Sequence, residues 1–137
     1  MLALLFFSAC SSTSKDETKE IKVCPQCHME LPASNMYTSI LDKESNIYYF
    51  DDIGCMILYA NDDKLPKNSK VFTNDTHRYI ESQKAFYTIN EKTPMSYGFA
   101  AYEKTQENTI TFDEVVIKML RGEHMANPKI RKQILGY

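Results

Sequence analysis

The chain has 137 residues, which is enough for one compact domain or for two small lobes that share a core. Its hydrophobic fraction of 43% is ordinary for a globular protein, and 16 basic residues against 18 acidic ones leave a net charge of -2. This balance argues against a nucleic-acid-binding protein, because such proteins usually carry an excess of basic residues.

The N-terminal residues predict export and attachment to a membrane. Residues 1–9 are a short apolar run that ends in small residues, and Cys10 follows them. This order resembles the lipobox of bacterial lipoproteins, in which the signal peptide is removed and the cysteine carries acyl chains. The run is too short to span a membrane as a helix. Residues 10–20 are polar and have the composition of a disordered tether.

The body of the chain predicts an α+β fold in which strands pair as hairpins. Residues 36–41 and 47–50 are expected to pair around a polar loop, and residues 53–60 to form a helix. Asp51 and Asp52 stand where a helix cap and a helix-dipole partner would be. The remaining predicted elements are strands at 70–73, 82–89, 99–102 and 109–112, and a helix from 113 to about 120.

An internal repeat suggests duplication. A shift of 62 residues places Phe50 on Phe112 without a gap, and both segments read as strand, polar turn, strand, Phe-Asp-acid and amphipathic helix. Self-similarity of this kind marks duplicated supersecondary units. We therefore predict two packed lobes: a first ββαβ lobe with a cysteine-rich knuckle over residues 21–82, and a second ββα lobe with a C-terminal segment over residues 83–137.

The strongest chemical signal is the knuckle Cys24-Pro-Gln-Cys27-His28-Met29. Thiolate and thioether sulfurs are soft ligands that favour Cu(I), and imidazole is also acceptable. A Cys-x-x-Cys pair also occurs in zinc sites, redox pairs and disulfides. Structural zinc needs four ligands, and no second cysteine pair or histidine pair follows in the sequence. The residues favour copper and leave zinc and a disulfide open.

Other sulfur and nitrogen side chains are weaker candidates. Cys55 lies in the first predicted helix, where it is either a small buried hydrophobe or a group near the metal. Met95 lies in the turn of residues 93–98, where a polar residue would be expected, so it is a candidate ligand as well as a candidate core residue. His124 is expected to face solvent, and Met125 beside it is a secondary candidate.

Together these segments resemble the NosL family of copper-binding lipoproteins, which assist the maturation of nitrous oxide reductase. The resemblance runs from about residue 10 to 120 and rests on Cys10, the knuckle, residues 50–56 and residues 93–102. Family members typically have Cys-Gly-Met where this chain has Cys27-His28-Met29, a departure that either adds an imidazole ligand or alters the turn.

The resemblance implies a metallochaperone rather than an enzyme. The protein would face the periplasm, with the outer membrane slightly favoured, and would pass Cu(I) to an ABC-type maturation complex and through it to nitrous oxide reductase. The family fold has two ββαβ lobes and is shared with organomercurial lyase. Cys27, Met29 and Met95 map onto the family's ligands, with Cys24 and His28 as additional candidates.

Two other classes stay open. A thiol-based enzyme would be a disulfide oxidoreductase or an organomercurial-lyase-like protein, in which paired thiols lie beside a carboxylate such as Asp51 or Asp52. A lipoprotein interaction module would instead be held together by a disulfide between Cys24 and Cys27. The copper prediction requires Cys27 and Met29 to meet Met95 in space, although the sequence separates them widely.

Overall fold

The computed structural model describes residues 21–60 and 67–136. The predicted signal peptide (1–9), the tether (10–20) and the lipidated Cys10 lie outside the described residues. Within them the protein is α+β, with antiparallel strands and three helices, as the sequence predicts. In chain order the elements are β1 (Ser39–Lys43), β2 (Asn46–Phe50), α1 (Ile53–Ala60), β3 (Ser69–Phe72), β4 (Tyr79–Glu81), a 3₁₀ turn (Ser82–Lys84), β5 (Phe86–Thr88), β6 (Ala100–Tyr102), α2 (Phe112–Leu120) and α3 (Pro128–Leu135).

The main sheet has the strand order β2-β1-β3-β4, and every neighbouring pair is antiparallel. In the β1–β2 hairpin Ser39 pairs with Phe50 and Lys43 pairs with Asn46. Only Glu44 and Ser45 lie between the strands, and both have positive φ, 53° and 65°. Two-residue hairpin turns of this kind match the twist of the strands. The hairpin is therefore as predicted, with a shorter loop.

The second half of the chain pairs differently. β5 pairs with β6, and the backbone of Ile110 bonds to Tyr87 of β5 at 2.9 and 2.8 Å instead of forming a strand with β6. The strand predicted at residues 109–112 is thus an isolated bridge, and α2 already begins at Phe112. In the first half, by contrast, β2 pairs with β1. The predicted duplication of ββα lobes is not confirmed.

Helix α1 is the centre of the core. Its residues from Ile53 to Ile57 are all buried, and the helix packs against β1, β2 and α2. A helix that is apolar on every side belongs inside a protein, so the chain between β2 and α1 is carried into the interior. The largest fully buried side chains around it are Phe50, Ile53, Met56, Val71, Tyr87, Phe99, Phe112 and Val115.

The helix predictions at residues 53–60 and from about 113 are confirmed, whereas β4 and α3 were not predicted. Helix α2 begins with a capping box between Thr111 and Glu114. Helix α3 has Asn127 as its N-cap and no buried residue. Its sequence therefore gives little indication of a side that faces the core. Within residues 21–60 and 67–136, no helix has the length and apolar character needed to cross a membrane.

Candidate metal centre

The knuckle is a tight backbone turn at the tip of a short hairpin. Val23 bridges to Glu30, the Cys24 N–H donates to the Met29 carbonyl at 2.9 Å, and the His28 N–H donates to the Cys24 carbonyl at 2.9 Å. His28 has a φ of 64°, in the left-handed region that favours glycine but that histidine also visits. The turn can therefore be built with histidine where the resembling family has glycine.

The start of α1 supplies the other half of the site. Asp52 caps the helix: its Oδ1 accepts the Gly54 N–H at 3.1 Å, and its carbonyl accepts the Cys55 N–H at 3.0 Å. Asp51, the residue before the cap, is 1% exposed. Cys55 lies in the first turn of α1, and its thiol and the Asp51 carboxylate lie within 4.8 Å of each other.

These two segments meet in a cluster of three thiols and one carboxylate. The ligand atoms of Cys24, Cys27, Cys55 and Asp51 all lie within 4.8 Å of one another. Cys24, Cys55 and Asp51 are buried, whereas Cys27 is half-buried, and all three thiols are free. The Cys27 thiol donates a hydrogen bond to Oδ1 of Asp51 at 3.1 Å. The cluster could hold a metal ion through three sulfurs and one oxygen.

The cluster concentrates negative charge on Cys24. Its pKa is lowered to about 6, chiefly because the Cys55 thiol donates a hydrogen bond to its sulfur. Backbone groups of Cys27, Asp51 and Gln26 lower it further, against the opposing effect of burial. The metal-free cluster therefore contains a thiolate at Cys24 near neutral pH, and this thiolate is the first ligand for a cation.

The other two thiols keep their protons. Burial raises the pKa of Cys27 to about 12, and its hydrogen bond to Asp51 and the neighbouring Cys24 add to the increase. The pKa of Cys55 is raised because its thiol donates to the Cys24 sulfur, and burial acts in the same direction. A metal that binds all three sulfurs must therefore displace protons from Cys27 and Cys55.

Met95 is tied to the residue next to the cluster. Its N–H donates to Oδ2 of Asp52 at 3.0 Å, and the Thr93 hydroxyl donates to the same oxygen at 2.6 Å. The Met95 side chain is half-buried and packs against the hydrophobic core, to which Cys24 and Cys55 also belong. The turn of residues 93–98 thus adjoins the start of α1.

The predicted ligands do not all come together in the cluster. Cys24 and Cys27 belong to it, and so does Cys55, which the sequence suggested only as a secondary candidate. Met29 is 57% exposed on the knuckle, and His28 is exposed and not part of the cluster. The structure therefore shifts the candidate site from the knuckle surface into the interior, toward α1.

Asp51 was not among the predicted metal ligands. The sequence assigned it to the helix cap and dipole and named it as a candidate carboxylate only for a thiol-based enzyme, whereas the structure places its carboxylate among the thiols. The signal that could have revealed it is the four-residue spacing to Cys55 at a helix start. Together with Cys55 it also supplies the third and fourth ligands whose absence disfavoured zinc, so ligand number no longer separates zinc from copper.

Comparison with models of known protein families, with curated proteins and with solved structures finds no match. The resemblance to the NosL family stays a prediction from the motifs in the sequence.

Proposed function

We propose that the protein binds one Cu(I) ion at the thiol cluster and passes it to a partner. The observation that carries this proposal is the convergence of Cys24, Cys27, Cys55 and Asp51, whose ligand atoms all lie within 4.8 Å. Cysteines from two segments that are distant in sequence lie together, and none of the three forms a disulfide. Little rearrangement would be needed to surround an ion with sulfur.

The donor set supports a soft ion. Three thiolates suit Cu(I), which accepts trigonal sulfur coordination, and a carboxylate beside them is a poor ligand for it. In this role Asp51 accepts the hydrogen bond from the Cys27 thiol before the ion binds, and it does not become a ligand. Zn²⁺ would use the carboxylate as its fourth ligand, so the role of Asp51 distinguishes the two metals.

Transfer is supported by unequal burial within the cluster. Cys24 and Cys55 are 0% exposed, whereas Cys27 is half-buried on the knuckle, next to the exposed Met29. A partner's sulfur could therefore reach the ion from the side of Cys27, and the Met29 thioether could hold it during the exchange. An ion held only by buried ligands would be stored and not delivered.

The biological setting follows from the NosL resemblance and is part of the same proposal. Lipidation at Cys10 and the tether of residues 10–20 would hold the protein at the periplasmic side of a bacterial membrane. The recipient would be an ABC-type maturation complex that supplies nitrous oxide reductase. In this proposal the fold derives from two duplicated lobes related to those of organomercurial lyase.

Anaerobic titration with Cu(I), using a chromophoric chelator as competitor, tests the proposal. We expect one ion per chain, a strong loss of affinity in Cys27→Ser and Cys55→Ser, and little change in Asp75→Asn, whose exposed carboxylate lies outside the cluster. X-ray absorption should show a shell of sulfur neighbours. Preference for Zn²⁺ in competition, with an oxygen neighbour that disappears in Asp51→Asn, would instead identify a zinc protein.

A second candidate function is cleavage of a carbon–mercury bond, favoured by the hydrogen bond from Cys27 to Asp51 at 3.1 Å. Two thiolates would bind the mercury of an organomercurial while its carbon–mercury bond breaks. The carbon would keep the electron pair and take the proton that Cys27 shares with Asp51, and mercury would stay on sulfur.

Release of benzene from phenylmercury would reveal this activity. We would expect turnover in the wild type and none in Asp51→Asn. Asp75→Asn is the matched control, because Asp75 is exposed and its carboxylate bonds only to the backbone of Thr76, Glu103 and Lys104 among the described residues. Tight binding of the mercury compound without benzene would rule the activity out and leave a binding protein.

A further inference from the structure

The Asp52 carboxylate does more than cap a helix. It is 0% exposed, and both of its oxygens accept hydrogen bonds: Oδ1 from the Gly54 N–H at 3.1 Å, and Oδ2 from the Thr93 hydroxyl at 2.6 Å and the Met95 N–H at 3.0 Å. A cap needs only the first of these bonds, and a serine or asparagine would supply it. The second oxygen, Oδ2, accepts a hydrogen bond from a segment 41 residues further along the chain.

That segment is a closed turn. Thr93 accepts the Gly98 N–H on its hydroxyl at 3.1 Å and the Ser96 N–H on its carbonyl at 3.0 Å. Gly98 has a φ of 93°, a conformation that favours glycine. Because the turn is closed on Thr93, the bond from Thr93 to Asp52 positions the whole of residues 93–98 and not a single side chain.

The same turn rests directly on α1. A Cβ atom added to Gly54 would lie 2.4 Å from the ring of Tyr97, so the aromatic ring covers the helix at the residue that precedes Cys55. The half-buried Met95 side chain packs against the hydrophobic core. The contacts of Asp52 and Tyr97 thus hold a thioether-bearing turn against the short stretch of chain that carries Asp51 and Cys55.

We propose that Asp52 is a positioning residue that holds the Met95 thioether next to the thiol cluster, where it supplements the thiolates as a ligand. This inference rests on the proposed copper function and deepens it. An asparagine could keep the cap through its oxygen, but its NH₂ group would then face the two donors of the turn. The turn should detach from α1 in Asp52→Asn while the helix itself remains.

Methyl NMR of the full chain labelled with [methyl-¹³C]methionine tests the positioning without any metal. In Asp52→Asn we expect the Met95 signal to move toward the position of the exposed Met29. The signals of the buried Met56 and Met119 should stay in place, which shows that the core is intact. An unmoved Met95 signal in a folded Asp52→Asn protein would overturn the inference.

A double-mutant cycle tests the link to metal binding. We expect Asp52→Asn to weaken Cu(I) binding by roughly 10- to 100-fold, as is typical for residues that orient a ligand. It should have little further effect in a Met95→Leu background, because the thioether through which it acts is gone. Equal losses in both backgrounds would refute a role through Met95.

Two further variants complete the test. Asp75→Asn removes a carboxylate with three backbone hydrogen bonds elsewhere and should leave the affinity and the Met95 signal unchanged. Asp52→Ser can keep the cap but lacks the oxygen that accepts the two bonds from the turn, so it replaces Asp52→Asn in the cycle if that protein does not fold. If the wild type binds no Cu(I), the copper function fails, and the metal-free Met95 signal alone decides whether Asp52 holds the turn.

Discussion

The pH dependence of Cu(I) binding should reveal how many thiols become ligands. Because its pKa is lowered to about 6, Cys24 is mainly thiolate at pH 7. Cys27, with a pKa of about 12, and Cys55, whose pKa is also raised, are protonated at that pH. Binding through all three sulfurs should therefore release about two protons at pH 7.

The sign and size of the effect follow from this proton count. Because the ion displaces protons, affinity must rise with pH, by about 1.4 kcal/mol per pH unit for each proton released. Two protons correspond to about 2.7 kcal/mol, or roughly a hundredfold gain in affinity per pH unit above pH 7. Below pH 6 Cys24 is protonated as well, and the dependence should steepen toward about three protons.

Competition with a chelator between pH 5 and 8.5, corrected for the chelator's own protonation, measures this slope. Calorimetry in two buffers with different ionisation enthalpies counts the protons independently. Cys27→Ala should lower the slope above pH 7 by about one, because Cys24 keeps the hydrogen bond from Cys55 that lowers its pKa. A wild-type slope near one would refute the three-thiolate site and favour the set of Cys27, Met29 and Met95, in which only one thiol must lose its proton.

Three further predictions concern the surroundings of the site. Asp51→Asn should speed the alkylation of Cys27 by iodoacetamide at pH 8 several-fold, because the Asp51 carboxylate helps to raise the pKa of that thiol; an unchanged rate in mass-spectrometric time courses would contradict this. Tyr87→Phe should cost about 1–2 kcal/mol of unfolding free energy in urea titrations, since the buried hydroxyl donates at 2.8 Å to a carbonyl of the 3₁₀ turn; a loss near zero would mean that water replaces it. Gly54→Ala should cost about 1–3 kcal/mol in the same titration, because its Cβ would overlap the Tyr97 ring, and the loss should shrink in a Tyr97→Leu background.

Local sequence determined the two helices that carry buried faces and the first hairpin. Helix α1 follows an acidic cap with a continuous apolar run, and α2 follows the capping box at Thr111, so propensity and burial act in the same direction. Helix α3 buries no residue, and its start is set by Asn127 and Pro128. Ile130 and Ile134 are four residues apart, but one such pair among charged residues does not distinguish a short helix from a loop.

The predicted pairing of residues 109–112 with the preceding strand is wrong for a different reason. Residues 109–112 have the composition of a strand, but the partner of Ile110 is Tyr87 of β5 and not a residue of the preceding β6. Strand pairing depends on which edge is free after the sheet assembles, and two similar sequences can meet different edges. The aligned residues at Phe50 and Phe112 are both buried, yet their hairpins are not equivalent.

For the site, the sequence by itself determined the chemistry of the knuckle: two thiols separated by two residues in a turn can lie close together whatever the rest of the chain does. Tertiary structure alone decided that Cys55 and Asp51 join them and that Met29 and His28 stay at the surface. The reason is that residues 53–57 of α1 are all buried, so the start of this helix lies in the interior. Which side chains then meet depends on the packing of segments distant in sequence, and residue spacing does not encode that packing.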